Sequence, residues 1–322
     1  MATLDKLPII DFGSFDKEPV KVAQQVLDAC KSIGFFYMTN HGIPLDKVDN
    51  AFEMAKGYFD LPSEEKRKFL IKEDNYGYSE LYSETLDPDN QRQGDHKEGF
   101  NFKNFIDGKA YAPLPAFFEE REEAVKAFSY ACQETSARVL EAFAIALEIP
   151  EDQGGRNWFK DRHHYNRKSG QVLRFLKYPR GGEVSYKEPV RAGAHSDYGS
   201  LTLLFQKDVP GLEVQASRAA WIPAPLVDGA VLVNVGDLME FWTNGLFKST
   251  LHRVTFLPEH NHLDRYSIPF FVHPEDGVLL TPIPSSIVPP HTAAGSEDET
   301  KKKPIMTAGE HLRHRLKATY SF

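Results

Sequence analysis

The sequence predicts an α+β fold, in which a mainly helical N-terminal half packs against a double-sheet jelly-roll core with flanking α-helices. Three observations predict it. Apolar residues recur at helical spacing through much of the first 150 residues. After Gly170, short runs rich in β-branched and aromatic residues alternate with turn signals, the pattern of a β-sandwich or barrel. The chain has 322 residues, enough to bury a sizeable core.

The chain opens with a strand signal, Leu7-Pro8-Ile9-Ile10-Asp11-Phe12. Ala23, Val26, Leu27 and Cys30 share one face of a helix that Gly34 ends. Gly34-Phe35-Phe36-Tyr37-Met38-Thr39-Asn40 reads as a buried strand, and Val48, Phe52, Ala55 and Phe59 form the stripe of a second helix. Ser63 stands where an N-cap would, with Glu64 and Glu65 in the first turn behind it. From Asp74 to Pro115 the chain is rich in Asp, Asn, Gly and Tyr and reads as a long loop, a length that implies function or mobility. A helical pattern from about Ala116 to Glu148 buries Val125, Phe128, Cys132, Thr135, Val139, Phe143 and Leu147, and Pro150 closes it.

Six strand-like runs follow: Val172 to Tyr178, Ser200 to Gln206, Leu212 to Gln215, Val231 to Val235, Thr250 to Leu257 and Tyr266 to His273. Gly181-Gly182, Pro210-Gly211, Asp228-Gly229 and Asn244-Gly245 supply turns between them. The stretch Pro284 to Lys303 reads as a surface loop, and a last helix is expected near Gly309 to Leu316. By region, residues 1–150 are mainly helical with the first strands, 151–283 form the jelly-roll core, and 284–322 are a C-terminal loop and helix.

Hydrophobic content of 41% and charged content of 26% suit a soluble globular chain. The net charge of -8 argues against nucleic acid or an anionic membrane as a partner. No apolar run is long enough to span a bilayer. Met1 to Phe12 lacks a basic region followed by an apolar core, so a cytoplasmic location is the expectation. Cys30 and Cys132 sit in helical patterns outside any C-x-x-C and read as buried thiols of a reducing compartment.

The residues that carry chemistry lie in the second half. His195-Ser196-Asp197 places an imidazole and a carboxylate two positions apart, on one face of extended chain, so both reach one metal from one strand end. His252, in a later strand of the same region, is the best candidate for a third ligand. Two histidines and one carboxylate leave three coordination positions open, the arrangement of non-haem Fe(II) oxygenases; a structural zinc site would be closed by four ligands. His163-His164, His260 and His262 read as surface or loop residues, and Asp237 as a carboxylate bonded to its own turn.

Arg265-Tyr266-Ser267 is the second constellation. Arg265 and Ser267 share a strand face, and a guanidinium grips a carboxylate through two parallel hydrogen bonds. That suits the distal carboxylate of 2-oxoglutarate, with Tyr178 placed to add a hydroxyl.

With these residues in view, the chain resembles the isopenicillin N synthase-like Fe(II)/2-oxoglutarate-dependent dioxygenases along nearly its whole length. Pro8 to Phe12 and Gly34 to Ile43 look like that family's N-terminal region, Gly193 to Leu204 like its first metal motif, Val233 to Asp237 and Asn244 to Val254 like its second, and Arg265-Tyr266-Ser267 like its R-x-S clamp. The C-terminal half is also similar to the fungal thymine 7-hydroxylase branch, in Val190 to Gly193, Thr202 to Gln206 and Leu316 to Tyr320. Many relatives carry an asparagine two residues before the tyrosine; here the position is Leu176.

The resemblance implies a distorted double-stranded β-helix with iron at one mouth, held by His195, Asp197 and His252. It implies 2-oxoglutarate held by Arg265, Ser267 and Tyr178, and O2 as oxidant. The reaction implied is hydroxylation of a small molecule, or its desaturation or cyclisation, with release of succinate and CO2. No catalytic side chain beyond the metal centre is expected. Arg191, Phe100, Phe102 and Phe271 are the candidates for the substrate pocket. Two other readings share the scaffold: an oxidase that does not use 2-oxoglutarate, as isopenicillin N synthase and aminocyclopropane carboxylate oxidase are, and a non-catalytic small-molecule-binding protein. Succinate formation coupled to O2 uptake separates both from the first.

Overall fold

In a computed structural model, residues 6–181, 190–217, 220–290 and 305–319 are described. Gly182, residues 291–303 of the expected C-terminal loop and Tyr320 lie outside them. In chain order the strands are β1 (Ile9–Asp11), β2 (Phe35–Thr39), β3 (Gly77–Ser79), β4 (Glu98–Phe102), β5 (Val172–Tyr178), β6 (Val190–His195), β7 (Leu201–Lys207), β8 (Leu212–Ser217), β9 (Ala220–Pro223), β10 (Val231–Val235), β11 (His252–Thr255) and β12 (Arg265–Val272). The helices are α1 (Pro19–Ser32), α2 (Leu45–Phe59), α3 (Ser63–Arg67), α4 (Ala116–Glu119), α5 (Glu122–Ala146), α6 (Asp237–Trp242) and α7 (Ala308–Thr319).

An eight-stranded sheet runs β1-β2-β10-β7-β12-β5-β4-β3, and a four-stranded sheet runs β6-β11-β8-β9. Only β1 and β2 pair in parallel; every other ladder between these strands is antiparallel. This is the jelly-roll core the turn-punctuated runs predict. Strands from the first third of the chain are hydrogen-bonded into the same large sheet as those from the second half, through β2 to β10 and β4 to β5.

Strand alternation sorts the large sheet into two faces. Leu173 and Phe175 of β5, Leu203 and Phe205 of β7, Val231 and Val233 of β10, and Ile268 and Phe270 of β12 pack with residues of α1, α2 and α5 in the main core. Their neighbours in sequence face the smaller sheet. Leu176, Tyr178 and Leu232 form a second cluster there with Ala192, Leu212, Val214 and Val254. The polar residues Arg174, Thr202, Gln206, Asn234, Arg265 and Ser267 occupy alternate positions on this inner face, and that places the site between the sheets.

α1 stops where the chain must turn into β2. Gly34 has φ +72°, and a Cβ there would come 1.9 Å from the Lys248 carbonyl oxygen, so no other residue fits. α7 begins with a reciprocal cap: Thr307 Oγ1 accepts from the Glu310 backbone N–H at 3.2 Å while the Glu310 carboxylate accepts from the Thr307 N–H at 2.8 Å.

Several expectations need correction. Ser63 is the first residue of α3 rather than its cap, because the chain enters from Pro62 and makes no side-chain cap. The single helix expected from Ala116 breaks between α4 and α5. Arg121 stacks on Phe117 and gives a side-chain N–H to its carbonyl at 2.8 Å, an acceptor that a continued helix would have used for the backbone N–H. β6 is absent from the expected strands, since Ala192, Gly193 and Ala194 give little strand signal. β9 and α6 are absent too, the latter because Asp237 opens a helix rather than a turn.

The supposed loop from Asp74 to Pro115 contains β3 and β4, every residue of which is buried. Its polar composition misleads because the polar groups are paired inside. Lys66 of α3 meets Glu98 of β4 at 2.7 Å, the Tyr78 hydroxyl donates to the same carboxylate at 2.6 Å, and the Lys66 and Glu98 side chains are only 5% and 10% exposed. Removing one member of such a pair strands the other's charge. Lys66→Met is therefore expected to lower stability by about 3–5 kcal/mol, and Lys66→Met with Glu98→Leu to recover most of it, measured by denaturant unfolding. Equal destabilisation by single and double variants would show that the pair's charge is not what matters.

Candidate metal centre

β6 ends on His195, and β11 begins on His252 directly opposite it in the antiparallel register. Asp197 lies two residues past the end of β6. One ligand atom from each of the three residues falls within 4.8 Å of the others. Nε2 of His195 is 4.0 Å, and Nε2 of His252 3.8 Å, from Asp197 Oδ1.

The remaining polar atoms of the trio are occupied. His195 Nδ1 meets the Gly193 carbonyl at 2.8 Å and His252 Nδ1 the Thr250 carbonyl at 3.2 Å; carbonyls only accept, so each Nδ1 carries the proton and each Nε2 presents a lone pair. Asp197 Oδ2 accepts from Thr202 Oγ1 at 2.6 Å and Asn234 Nδ2 at 2.7 Å, which turns Oδ1 toward the imidazoles. Burial, reinforced by the neighbouring His252, holds the His195 pKa down at about 4. Burial pushes the Asp197 carboxyl up, but the two imidazoles, Asn234 and Thr202 outweigh it and hold its pKa below the usual range. Near neutral pH the donors are a neutral imidazole and a carboxylate, the protonation states a divalent cation requires. The set fits one metal ion with three positions left open.

Arg265 and Ser267 lie on the inner face of β12, each 1% exposed. Arg265 pairs in register with Tyr178, and its guanidinium lies 4.9 Å from that ring's centroid. Its Nη2 donates to Gln206 Oε1 at 2.9 Å, whereas Nε and Nη1 have no hydrogen-bond partner among the described residues. A buried guanidinium with free donors is costly unless a carboxylate completes it, and a 2-oxo diacid fits that need.

A cavity of about 590 Å³ opens beside the trio, and His195, Asp197, Tyr198, Leu176, Tyr178 and Phe271 are in its wall. Phe271 and Tyr178 thus line the cavity. Phe100 and Phe102 do not. They pack in the helix-side aromatic cluster with Tyr58, Phe118 and Phe175, and Asn101 between them faces the cavity. Alternation holds along β4, but the face expected inside is the one turned to the helices. Arg191 is also elsewhere: it donates to the Leu263 carbonyl at 3.0 Å and lies 4.5 Å from the Phe256 ring centroid, outside the cavity wall. His163, expected at the surface, is buried with Nε2 2.8 Å from Ser200 Oγ, while His164 is exposed beside Glu275. Asp237 does not bond its own turn. It accepts from Ser249 Oγ at 2.7 Å and pairs with Arg315 of α7 at 2.6 Å.

Sequence reasoning misses the supporting residues Thr202, Asn234 and Gln206. A signal is present: each is a polar residue inside an otherwise apolar strand, and such a residue needs a buried partner. It also misses a buried ionic group. Glu84 pairs with Arg174 and, at 3.3 Å, with Lys97, which also meets Asp95. Burial opposes ionisation of Glu84, but the two cations hold its pKa down at about 2. Asp95 Oδ1 accepts the Gly193 N–H at 2.9 Å, so this group anchors the residue whose carbonyl orients His195.

Comparison with known proteins agrees with this geometry. Residues 168–274 match the family model of the 2OG-Fe(II) oxygenase superfamily, and residues 7–117 match that of the non-haem dioxygenase in morphine synthesis N-terminal region. A UPF0676 protein of Schizosaccharomyces pombe is 37% identical, with 98% of this chain and 94% of that protein covered. The 1-aminocyclopropane-1-carboxylate oxidase of Dictyostelium discoideum is 30% identical over 88% of this chain and 85% of its own. The crystal structure of full-length Neurospora crassa thymine 7-hydroxylase in complex with alpha-KG and thymine superposes with a TM-score of 0.82 at 29% identity, covering 99% of this chain and 100% of that one.

Proposed function

Because the chain belongs to the 2OG-Fe(II) oxygenase superfamily and is a dioxygenase that uses iron and 2-oxoglutarate, we propose a role for each residue of its site. His195, Asp197 and His252 hold the Fe(II). Arg265 and Ser267, with Tyr178 beside them, hold the distal carboxylate of 2-oxoglutarate. The adjoining cavity holds a small molecule whose C–H bond is hydroxylated. The observation that carries this reading is the division of labour within the trio: Nδ1 of both imidazoles and Oδ2 of the aspartate are occupied by the protein, and the atoms left over all face one point.

When bound, iron with O2 and 2-oxoglutarate supplies the oxidant for C–H hydroxylation, with succinate and CO2 as co-products. The chain does the rest. The Gly193 and Thr250 carbonyls keep the proton on Nδ1 of each histidine. Thr202 and Asn234 hold Asp197 in one rotamer. Arg265 orients the co-substrate, and the apolar wall residues Leu176 and Phe271 exclude water and set which C–H is presented.

Purified protein given Fe(II), 2-oxoglutarate and O2 is expected to release succinate and CO2 in equal amounts. A chelator should abolish the release and Fe(II) restore it, and the true substrate should accelerate it. Thymine is the first compound to try, since the similar Neurospora structure contains it. O2 uptake on a turning-over substrate without succinate would replace this reading with that of an oxidase independent of 2-oxoglutarate.

A further inference from the structure

We propose that Asn101 selects substrates that carry an uncharged N–H or O–H group, which its side-chain oxygen accepts. The inference rests on the cavity beside the trio being the substrate site.

Asn101 is on β4 and lines that cavity together with His195 and Asp197, and it is only 2% exposed. Its Nδ2 donates to Asn75 Oδ1 at 2.8 Å and to the Asn75 carbonyl at 3.3 Å. A carbonyl only accepts, so the amide cannot turn over without setting oxygen against oxygen. The turn that supplies these partners is itself fixed. Asn75 has φ 59°, a left-handed conformation that asparagine tolerates, and Asp74 Oδ1 accepts from the Tyr76 N–H at 3.2 Å. The nitrogen of Asn101 is thus held by the protein, while Oδ1 is buried with no hydrogen-bond partner among the described residues.

A buried acceptor is normally matched. Asn104, another buried asparagine of the wall, uses both ends of its amide: Nδ2 donates to the Tyr165 carbonyl at 2.8 Å, and Oδ1 accepts from Gln171 Nε2 at 3.0 Å. The cations near Asn101 do not complete it. Arg174, opposite it in register on β5, is held by Glu84 and Ser79, and Lys103, two residues along the same face, does not donate to it. They do decide the charge of a donor that can, because an ammonium beside two cations is repelled, whereas a hydroxyl or an amide N–H is not. The charged wall residues Glu73, Asp74, Arg167, Lys168 and Arg313 are exposed and keep their water, so they make no comparable demand on a ligand. A ligand without a donor leaves Oδ1 stranded, and a site built to hydrogen-bond a substrate N–H or O–H rejects the analogue that lacks it.

The test is calorimetric binding to the anaerobic enzyme loaded with Fe(II) and saturating 2-oxoglutarate, so that Arg265 is already engaged. The probes are matched pairs that differ in their donors: thymine with N,N′-dimethylthymine, para-ethylphenol with para-ethylanisole, and benzamide with N,N-dimethylbenzamide. In wild type the donor of at least one pair should bind about tenfold or more tightly than its methylated partner. Methylation also adds bulk, so the variants decide the cause. Asn101→Leu and the smaller Asn101→Ala should bring that ratio close to one, and Asn101→Asp, which keeps an acceptor, should retain most of it. Asn75→Gly spares Oδ1 and leaves the Asn75 carbonyl to anchor the amide, so it should keep the preference; an asparagine needed only to hold the turn would lose it there as well. Thermal melts confirm which variants fold. Methylated probes that bind as well as the donors in every pair, donors that do not bind at all, or a ratio undiminished in the folded Asn101 variants would each overturn the proposal. Succinate release by wild type without added substrate tests the iron and co-substrate reading separately, so the failure of one is not mistaken for the failure of the other.

Discussion

Asp197→Ala protein is expected to be purified with essentially no iron and to release no succinate above background, while keeping its fold by circular dichroism. The same holds for His252→Ala. The graded neighbours make this a test of architecture rather than of one residue. Thr202→Val and Asn234→Ala each remove one hydrogen bond to Asp197 Oδ2 and leave every donor atom in place. Losing such an outer contact costs about 10- to 100-fold in metal affinity, so these variants should regain turnover as Fe(II) is raised, and Asp197→Ala should not. Iron binding and succinate release that survive in Asp197→Ala would remove the trio from the mechanism. Asn234→Ala protein whose activity is lost at every iron concentration would point instead to an aspartate that acts in the chemistry itself.

How much of this centre is legible in the sequence depends on whether the geometry is local. His195 and Asp197 are two residues apart, and strand periodicity alone puts them on one side. His252 is far along the chain, and its place opposite His195 comes from the pairing of β11 with β6. β6 is itself invisible as a strand, so the sequence makes that histidine a candidate only by its place in a later strand of the same region, and the family pattern supports the choice. The helices α1 and α2 fall where expected because burial on one side imposes a period that survives in the sequence, and the strands β5 and β10 because burial on both faces leaves a short run of β-branched and apolar residues.

β4 shows the limit. Its alternation says that Phe100 and Phe102 share a face and that Asn101 takes the other. Which face meets the helices and which meets the cavity is set by β5 beside it, where Phe175 pairs with Phe100 and Arg174 with Asn101. Lys66, Glu98, Lys97 and Asp95 mislead for a related reason. Charged residues read as surface unless their partners are known, and the partner of Lys66 comes from a separate element.

Arg265→Met should raise the KM for 2-oxoglutarate by about 100-fold or more, since it removes at least two hydrogen bonds to a charged group at about 1.5–3 kcal/mol each. Arg265→Lys should recover part of the loss, because an ammonium keeps the charge without the fork that matches a carboxylate. Stability separates this role from a structural one. Without co-substrate the wild-type guanidinium is buried with a hydrogen bond to Gln206 and two nitrogens unmatched among the described residues. Its removal should therefore leave the apoprotein no less stable, and 2-oxoglutarate with a divalent metal should raise Tm in wild type far more than in Arg265→Met. An arginine kept to hold β12 against β5 would behave in the opposite way: the apoprotein would melt early, and whatever folded would bind 2-oxoglutarate normally. The unmatched donors favour the first outcome, because a fold that needed this charge for its own sake would have placed an acid beside it, as it does for Lys66 and Lys97.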